Sequence, residues 1–375
     1  MFLKHIKLSN FRNYVSLDTD FVSTLNIFVG DNAQGKTNLL EAIYLLATGR
    51  SYRASRDQEF VNWQAPGFNI KAEIHREFGT VTLEIGYIKD QRKRIKVNGA
   101  DLPKLSELFG HLNVVAFSPE DLQLVKGAPA YRRRFLDLEL SQVNPRYRHE
   151  LISYHQILLQ RNNLLKEMQA GRGDRQHLDV WDEQLSKSAV KISIQRMAAV
   201  EKMASLANRM QQLITEGKEE LSLKYVPSIS GLGETSFAEG PACEKALLQL
   251  QSLRKMELSR GITLMGPHRD ELSIQINKVD ARTFGSQGQQ RTVALALKLA
   301  ELEFMRQETG EYPILLLDDV MSELDYSRRQ FLTEAIRSKV QVFMTTTGLH
   351  SFQEAQLAES RLFRISNGII LTGFL

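Results

Sequence analysis

The stretch Gly30-Asp31-Asn32-Ala33-Gln34-Gly35-Lys36-Thr37 constrains this chain more than any other. It fits G-x-x-x-x-G-K-[ST], in which two glycines free the backbone to curl its N–H groups around phosphate oxygens. The helix that follows adds the partial positive charge of its N-terminus. The flanks agree with this reading. Asn26-Ile27-Phe28-Val29 is a short buried run, as a strand feeding such a loop requires. Leu39, Leu40, Ile43, Leu46 and Ala47 share one helical face, and Gly49 stands where it can end the helix. All eight loop residues are candidate ATP contacts, with Lys36 expected on the β- and γ-phosphates and the Thr37 hydroxyl on Mg²⁺.

A second element lies far downstream. Ile314 to Leu317 is an apolar run that predicts a buried parallel strand, and Asp318-Asp319 closes it. Carboxylates at the C-terminal end of such a strand sit where α/β sheets bind ligands. Asp318 is expected to orient Mg²⁺, and Asp319 to polarise or position an attacking water. Between the two lies Phe284-Gly285-Ser286-Gln287-Gly288-Gln289-Gln290-Arg291, which opens a helix with Ser286 as its cap. Such a helix start offers N–H groups to an anion. One chain already has a phosphate loop, so this second start points to the γ-phosphate of an ATP held by a second copy.

The length of 375 residues predicts two or three domains, and 42% hydrophobic with 25% charged residues excludes overall disorder. One cysteine, Cys243, excludes a disulfide scaffold and a Cys-based metal cluster, and fits a reducing cytoplasm. No run of about 18 apolar residues predicts a membrane span. The N-terminal 120 residues pattern as α/β, with Val15, Leu17, Thr19 and Phe21 alternating. From 145 to 217 the pattern predicts two antiparallel helices, the second about 50 Å long at 1.5 Å per residue. After residue 250 the α/β pattern returns. The expected organisation is one discontinuous sheet domain, 1–120 with 250–375, interrupted by a helical insert at 121–249.

The net charge of +4 is unevenly spread. Residues 89–96 carry +4 and residues 126–150 carry +3, so the remainder is acidic. Arg92, Lys93 and Arg94 in the first cluster are candidate contacts for a DNA backbone. Arg132, Arg133 and Arg134 in the second suit the same role, subunit docking, or the ATP site. No base-reading motif accompanies either patch, so DNA binding would be largely independent of sequence. His268 and Arg269 beside Asp270 read as a structural turn, with no second histidine to make a metal site.

The order of these motifs, followed by Ser322-Glu323-Leu324-Asp325, resembles the ATP-binding-cassette ATPases of the SMC and Rad50 type, in their bacterial recombination-mediator branch. Further stretches carry the resemblance: Asn10-Phe11-Arg12-Asn13-Tyr14, Ser118-Pro119-Glu120-Asp121-Leu122, Arg132 to Asp137, and Gly266-Pro267-His268-Arg269-Asp270. It implies an α/β cassette-type ATPase head, a mixed sheet with flanking helices, and an inserted helical domain. It also implies that Ser286, Gln287, Gly288 and Gln289 form the signature acting in trans. Ser322 and Asp325 would belong to the D-loop between subunits, and Arg12 would contact nucleotide. By the same resemblance the chain is a weak, DNA-stimulated ATPase that dimerises on ATP. It would bind single-stranded, gapped or junction DNA, work with the mediator protein RecR, and help load recombinase in replication, repair and the SOS response.

Some positions depart from the general pattern. Gln287 replaces the first signature glycine, and Asp319 stands one methylene short of the usual glutamate, which suits a slow switch. The strand ending Thr345-Thr346-Thr347 has no histidine at the switch position, where Thr347 is the substitute. No glutamine follows Val114 to Phe117 at once, so Glu120 and Asp121 are the nearest polar groups. Two rival readings stay open from sequence: an ATP-binding scaffold without turnover, and an ATPase subunit of a membrane transporter.

Overall fold

The computed structural model describes residues 1–54, 56–172, 174–233, 239–337, 339–349 and 357–371. Two compact units emerge, Met1–Asp121 with Leu297–Leu375, and Leu122–Ala296.

The first unit holds two six-stranded sheets. One is antiparallel and is built from β1 (Phe2–Phe11), β2 (Tyr14–Asp20), β4 (Gly67–Arg76), β5 (Gly79–Ile88), β6 (Arg94–Val97) and β7 (Ala100–Asp101), in the order β2-β1-β4-β5-β6-β7. The other contains β3 (Leu25–Val29), β8 (Val114–Phe117), β12 (Ile314–Asp318), β13 (Val342–Thr346), β14 (Ser360–Ser366) and β15 (Ile369–Leu371), in the order β15-β14-β3-β13-β12-β8. Its five inner-to-edge strands β14, β3, β13, β12 and β8 run parallel, and only β15 runs antiparallel. Continuous apolar runs form β12 and β13 because both faces of this sheet are covered. Rings of Phe21, Phe28, Phe343 and Phe363 interlock on it.

Helix α1 (Lys36–Thr48) leaves β3 as predicted. Leu39, Leu40, Ile43, Leu46 and Ala47 are buried, and Gly49 ends the helix at φ 66° with its N–H on the Leu45 carbonyl. Asn98 and Gly99, both left-handed, form the two-residue turn between β6 and β7. The alternation expected around β2 holds from Leu17 through Thr19 to Phe21, with Asp18 and Asp20 exposed, and breaks only at Val15. Val15 is 67% exposed while Tyr14 and Leu17 are buried, because β2 is an edge strand entered through the tight Arg12-Asn13 turn.

The second unit begins with α2 (Gln123–Lys126), α3 (Pro129–Val143), α4 (Pro145–Gln169) and α5 (Arg175–Ile214). At 40 residues α5 is about 60 Å long, longer than expected from sequence, since it starts at Arg175. It packs on α4, on α6 (Glu239–Arg260) and on β9 (Leu221–Val226). Leu213, at helical spacing after Leu206 and Met210, is 54% exposed. Strands β10 (Glu271–Ile276) and β11 (Val279–Asp280) join β9 in a small antiparallel sheet, followed by α7 (Ala281–Phe284). The return to the first unit therefore falls at Leu297, inside α8 (Gln287–Thr309), not at residue 250. The reason is pairing: Leu272, Ile274 and Ile276 do alternate, but against Tyr225, Leu223 and Leu221 of β9.

Buried polar groups knit this second unit. Arg161, fully buried, donates to Asp182 at 2.7 Å, Glu257 at 2.6 Å and Thr263 at 2.8 Å, and so ties α4 to α5 and α6. Arg196 reaches Tyr147, Asp137 and the Pro267 carbonyl. Asp270 accepts Ser193, Tyr225 and the Ser228 N–H. His268 accepts Tyr154 OH at Nδ1 and faces the Thr263 carbonyl with Nε2, and burial pushes its pKa down to about 4. Pro267 to Asp270 is thus the structural turn expected, holding a neutral imidazole.

Candidate nucleotide site

The phosphate loop leaves the C-terminal end of β3, and each glycine in it has a steric reason. A Cβ on Gly30 would lie 2.3 Å from the Ile365 carbonyl oxygen. Gly35 sits at φ 113°, and a Cβ there would meet the Asn13 amide at 2.5 Å. Lys36 folds across its own loop and donates to the carbonyls of Gly30 at 2.5 Å and Asp31 at 2.8 Å. Burial lowers its pKa, opposed by Asp319, Asp31 and Asp318. Those three carboxylates keep the ammonium beside the loop.

Residues far apart in sequence grip the loop. Asn13 Nδ2 donates to the Gln34 carbonyl at 2.9 Å, and Tyr14 OH to the Gly35 carbonyl at 3.0 Å. From the other end of the chain, the Asn367 N–H reaches Gln34 Oε1 at 2.8 Å and the Gly368 N–H reaches the Gln34 carbonyl at 3.0 Å. An Asn-Gly pair such as Asn367-Gly368 predicts a hairpin turn. The hairpin does form, and its tip also clamps the loop.

Arg12 does not point at the loop. Its guanidinium makes a two-bond fork to the buried Glu41 carboxylate at 3.0 Å, donates to the Glu59 carbonyl at 2.7 Å and lies over the Phe60 ring. Ser51 completes the Glu41 cluster. In this state Arg12 fixes α1 against the antiparallel sheet, because a buried carboxylate needs a paired cation.

The acidic strand meets the loop. Thr37 Oγ1 donates to Asp318 Oδ1 at 2.8 Å across 281 residues of sequence. Thr345 Oγ1 donates to the same oxygen at 2.9 Å and accepts the Asp319 N–H at 2.8 Å. Asp319 is left-handed, φ 54° and ψ 24°, and caps α9 (Val320–Glu323). A hydroxyl and a carboxylate side by side are hard oxygen donors that fit Mg²⁺, which takes few protein ligands beside phosphates. Consistently, no group of three or more His, Cys, Asp or Glu among the described residues could hold a metal alone. Thr345 is the residue that sequence reading passed over. Its signal was a pair of buried threonines closing a strand that opens Val342-Phe343-Met344. Thr347, the substitute named for the switch histidine, is exposed. Asp121 is committed elsewhere, accepting the Ser118 N–H and pairing with Lys298.

Ser286 caps α8 as expected, but reciprocally. Its Oγ accepts the Gln289 N–H at 3.2 Å while Gln289 Oε1 accepts the Ser286 N–H at 2.9 Å. Gln289 also reaches Glu219. Ser286 and Gln287 are exposed, as are Ser322 and Asp325. Ser322 Oγ donates to the Asp319 carbonyl at 2.7 Å, and Asp325 caps α10 (Tyr326–Ile336) on the Arg328 N–H.

The basic clusters need correction at three residues, Lys93, Arg132 and Arg133. Lys93 is not a free cation: it donates to Asp57 at 2.7 Å and the Gly49 carbonyl at 2.8 Å. Arg132 is 4% exposed, forks onto Glu271 at 2.7 and 2.8 Å and caps the carbonyls of Leu124 and Gly127. Both are spent on folding. Arg133 also donates inward, to the Asp270 carbonyl. Arg92, Arg94 and Arg134 are exposed.

Comparison with known proteins closes the argument. The RecF/RecN/SMC N terminal domain family matches residues 2–370. The DNA replication and repair protein RecF of Staphylococcus epidermidis is 44% identical over 372 residues, 99% of this chain and 100% of the relative. That of Pediococcus pentosaceus is 42% identical over 372 residues, 99% of each. The chain belongs to the RecF family. The solved structure of the recombination mediator protein RecF-ATPrS in the RecFOR pathway matches this RecF-family chain with TM-score 0.92 and 36% identity, over 98% of this chain and 97% of that one. The corresponding RecF-ATP structure matches with TM-score 0.91 and 36% identity, over 99% and 97%. An SMC head is 15% identical with TM-score 0.56, covering 99% of this chain and 98% of that one, and shows the cassette-type head fold. Among the described residues of this RecF-family chain no helix is long and apolar enough to cross a membrane.

Proposed function

We propose that this RecF-family chain is an ATP-driven switch of DNA replication and recombinational repair. The observation that carries the reading is the contact between Thr37 and Asp318, which joins the phosphate loop to the acidic strand. Backbone N–H groups of Gly30 to Thr37 and the Lys36 ammonium would bind the triphosphate. Mg²⁺, held by Thr37 and Asp318, would neutralise phosphate charge there. Asp319, at the end of β12, would polarise the attacking water. The ATP-bound RecF relatives support nucleotide binding. Family membership replaces the transporter reading, and the scaffold reading is separated from this one by turnover. Asp319→Asn should slow single-turnover hydrolysis at least 100-fold with ATP affinity kept. Equal, measurable rates in the two proteins would remove Asp319 from catalysis, and no turnover in either would leave the chain a scaffold.

The helix start at Ser286 to Gln289, exposed at Ser286 and Gln287, and the Ser322 to Asp325 turn suit closure over a second copy's ATP. Such closure gives ATP the differential interaction a switch needs. Single-stranded, gapped or junction DNA and the mediator protein RecR are the partners proposed, in the cytoplasm. For DNA, the structure narrows the candidates to Arg92 and Arg94 in the first cluster and Arg134 in the second. Trp63, 97% exposed, offers a further stacking face for a base. Its turn is pinned by the Asn62 N–H on the Asn10 carbonyl, and the Lys89 N–H holds Pro66. The pair Arg92→Glu and Arg94→Glu should lower affinity for single-stranded DNA and reduce the slope of log K against log salt by about 1.4. An unchanged slope in a binding titration would move the DNA to another face.

A further inference from the structure

One hydroxyl links the two carboxylate residues of the site. Thr345 Oγ1 donates to Asp318 Oδ1 and accepts the backbone N–H of Asp319. We propose that Thr345 is a positioning residue for ATP turnover. It locks the Asp319 backbone in its left-handed conformation, so that the Asp319 carboxylate is aimed while Asp318 stays turned to the Thr37 side. The proposal rests on the ATPase reading above.

Three observations carry it. First, Thr345 is 1% exposed and follows Val342, Phe343 and Met344 in a buried parallel strand. A hydroxyl there is unfavourable unless its hydrogen-bonding capacity is used, and here both its donor and an acceptor lone pair are used. Second, a left-handed aspartate is disfavoured because its Cβ crowds the backbone carbonyl, and such conformations persist where surroundings over-determine them. Asp319 is pinned on both sides: Thr345 holds its N–H, and Ser322 holds its carbonyl at 2.7 Å. Third, the parallel register pairs Asp318 with Thr345, so the ladder itself delivers the hydroxyl to the junction.

The arrangement has a use in the reaction. Asp318 Oδ1 is shared by the hydroxyls of Thr37 and Thr345. If Thr37 turns its oxygen to a metal ion, Thr345 still holds the carboxylate. An aspartate also has less reach than a glutamate, so its aim depends more on backbone placement. Valine fills the same volume as threonine without either bond, and serine keeps both.

The test compares Thr345→Val, Thr345→Ser and Asp319→Asn in the full chain. Thr345→Val should cut single-turnover hydrolysis 10- to 100-fold with the ATP Kd within threefold. In the nucleotide-free protein, hydrogen exchange at the Asp319 amide should quicken at least tenfold. Thr345→Ser should restore both. The proposal is overturned if Thr345→Val hydrolyses at the parent rate while Asp319→Asn does not, or if valine and serine lose equally. If Asp319→Asn keeps full turnover, the catalytic role given to Asp319 falls instead, and amide exchange alone decides whether the hydroxyl holds Asp319. A melting curve for each variant separates misfolding from mispositioning.

Discussion

Lys36→Met should weaken ATP binding at least 100-fold while leaving the fold intact. The Lys36 ammonium folds onto the carbonyls of Gly30 and Asp31, with Asp31, Asp318 and Asp319 around it. A charge-assisted hydrogen bond to a charged ligand contributes roughly 1.5–3 kcal/mol, so losing a donor to two phosphates costs about 3 kcal/mol, a factor of about 100. Methionine keeps the length and the apolar stem. Its melting temperature should match or exceed the parent's, because burial already works against this ammonium. Titration calorimetry with ATP and a melting curve read both quantities. An affinity within threefold of the parent would remove Lys36 from the phosphate site, and a collapse of the melting curve would make it structural.

The largest stability effect should come from the second unit. Arg161→Met leaves the buried carboxylates of Asp182 and Glu257 without their shared cation. Breaking a buried ion cluster on one side costs about 3–5 kcal/mol, and Arg254 can answer only for Asp182. For the second unit, Leu122–Ala296, melting on its own, the loss should lower the melting temperature by roughly 8–15 °C. The same argument predicts a rescue. Arg161→Met combined with Asp182→Asn and Glu257→Gln removes the stranded charges and keeps the acceptor for the Leu264 N–H, so most of the loss should return. A single variant melting within 2 °C of the parent, or a triple variant no better than the single, would refute this account.

Both predictions show where sequence reading works. The phosphate loop was legible because its chemistry is local: eight consecutive residues, a buried run before them and a helical face after them. The acidic strand was legible because four apolar residues and Asp318 form one short parallel strand, with Asp319 following at once. Helices α4 and α5 announced themselves by periodicity and by the lack of proline. The charge clusters were less faithful. Counting cations in a window cannot tell Lys93, bound to Asp57, or Arg132, forked on Glu271, from Arg92, Arg94 and Arg134 at the surface. The domain return at residue 250 failed for a similar reason. Leu272, Ile274 and Ile276 form a strand as predicted, but alternation does not say which sheet that strand joins.

By itself, then, the sequence determined a parallel-sheet phosphate site with an acidic strand, since backbone freedom, periodicity and burial act over a few neighbouring residues. The tertiary structure alone decided what holds that site in shape. Asn13 and Gly368 grip Gln34 from opposite ends of the chain, Thr37 reaches Asp318, and Thr345 joins Asp318 to Asp319. Each of these is a directional bond between groups brought together by strand order, and strand order is set by the packing of the whole sheet rather than by any one segment.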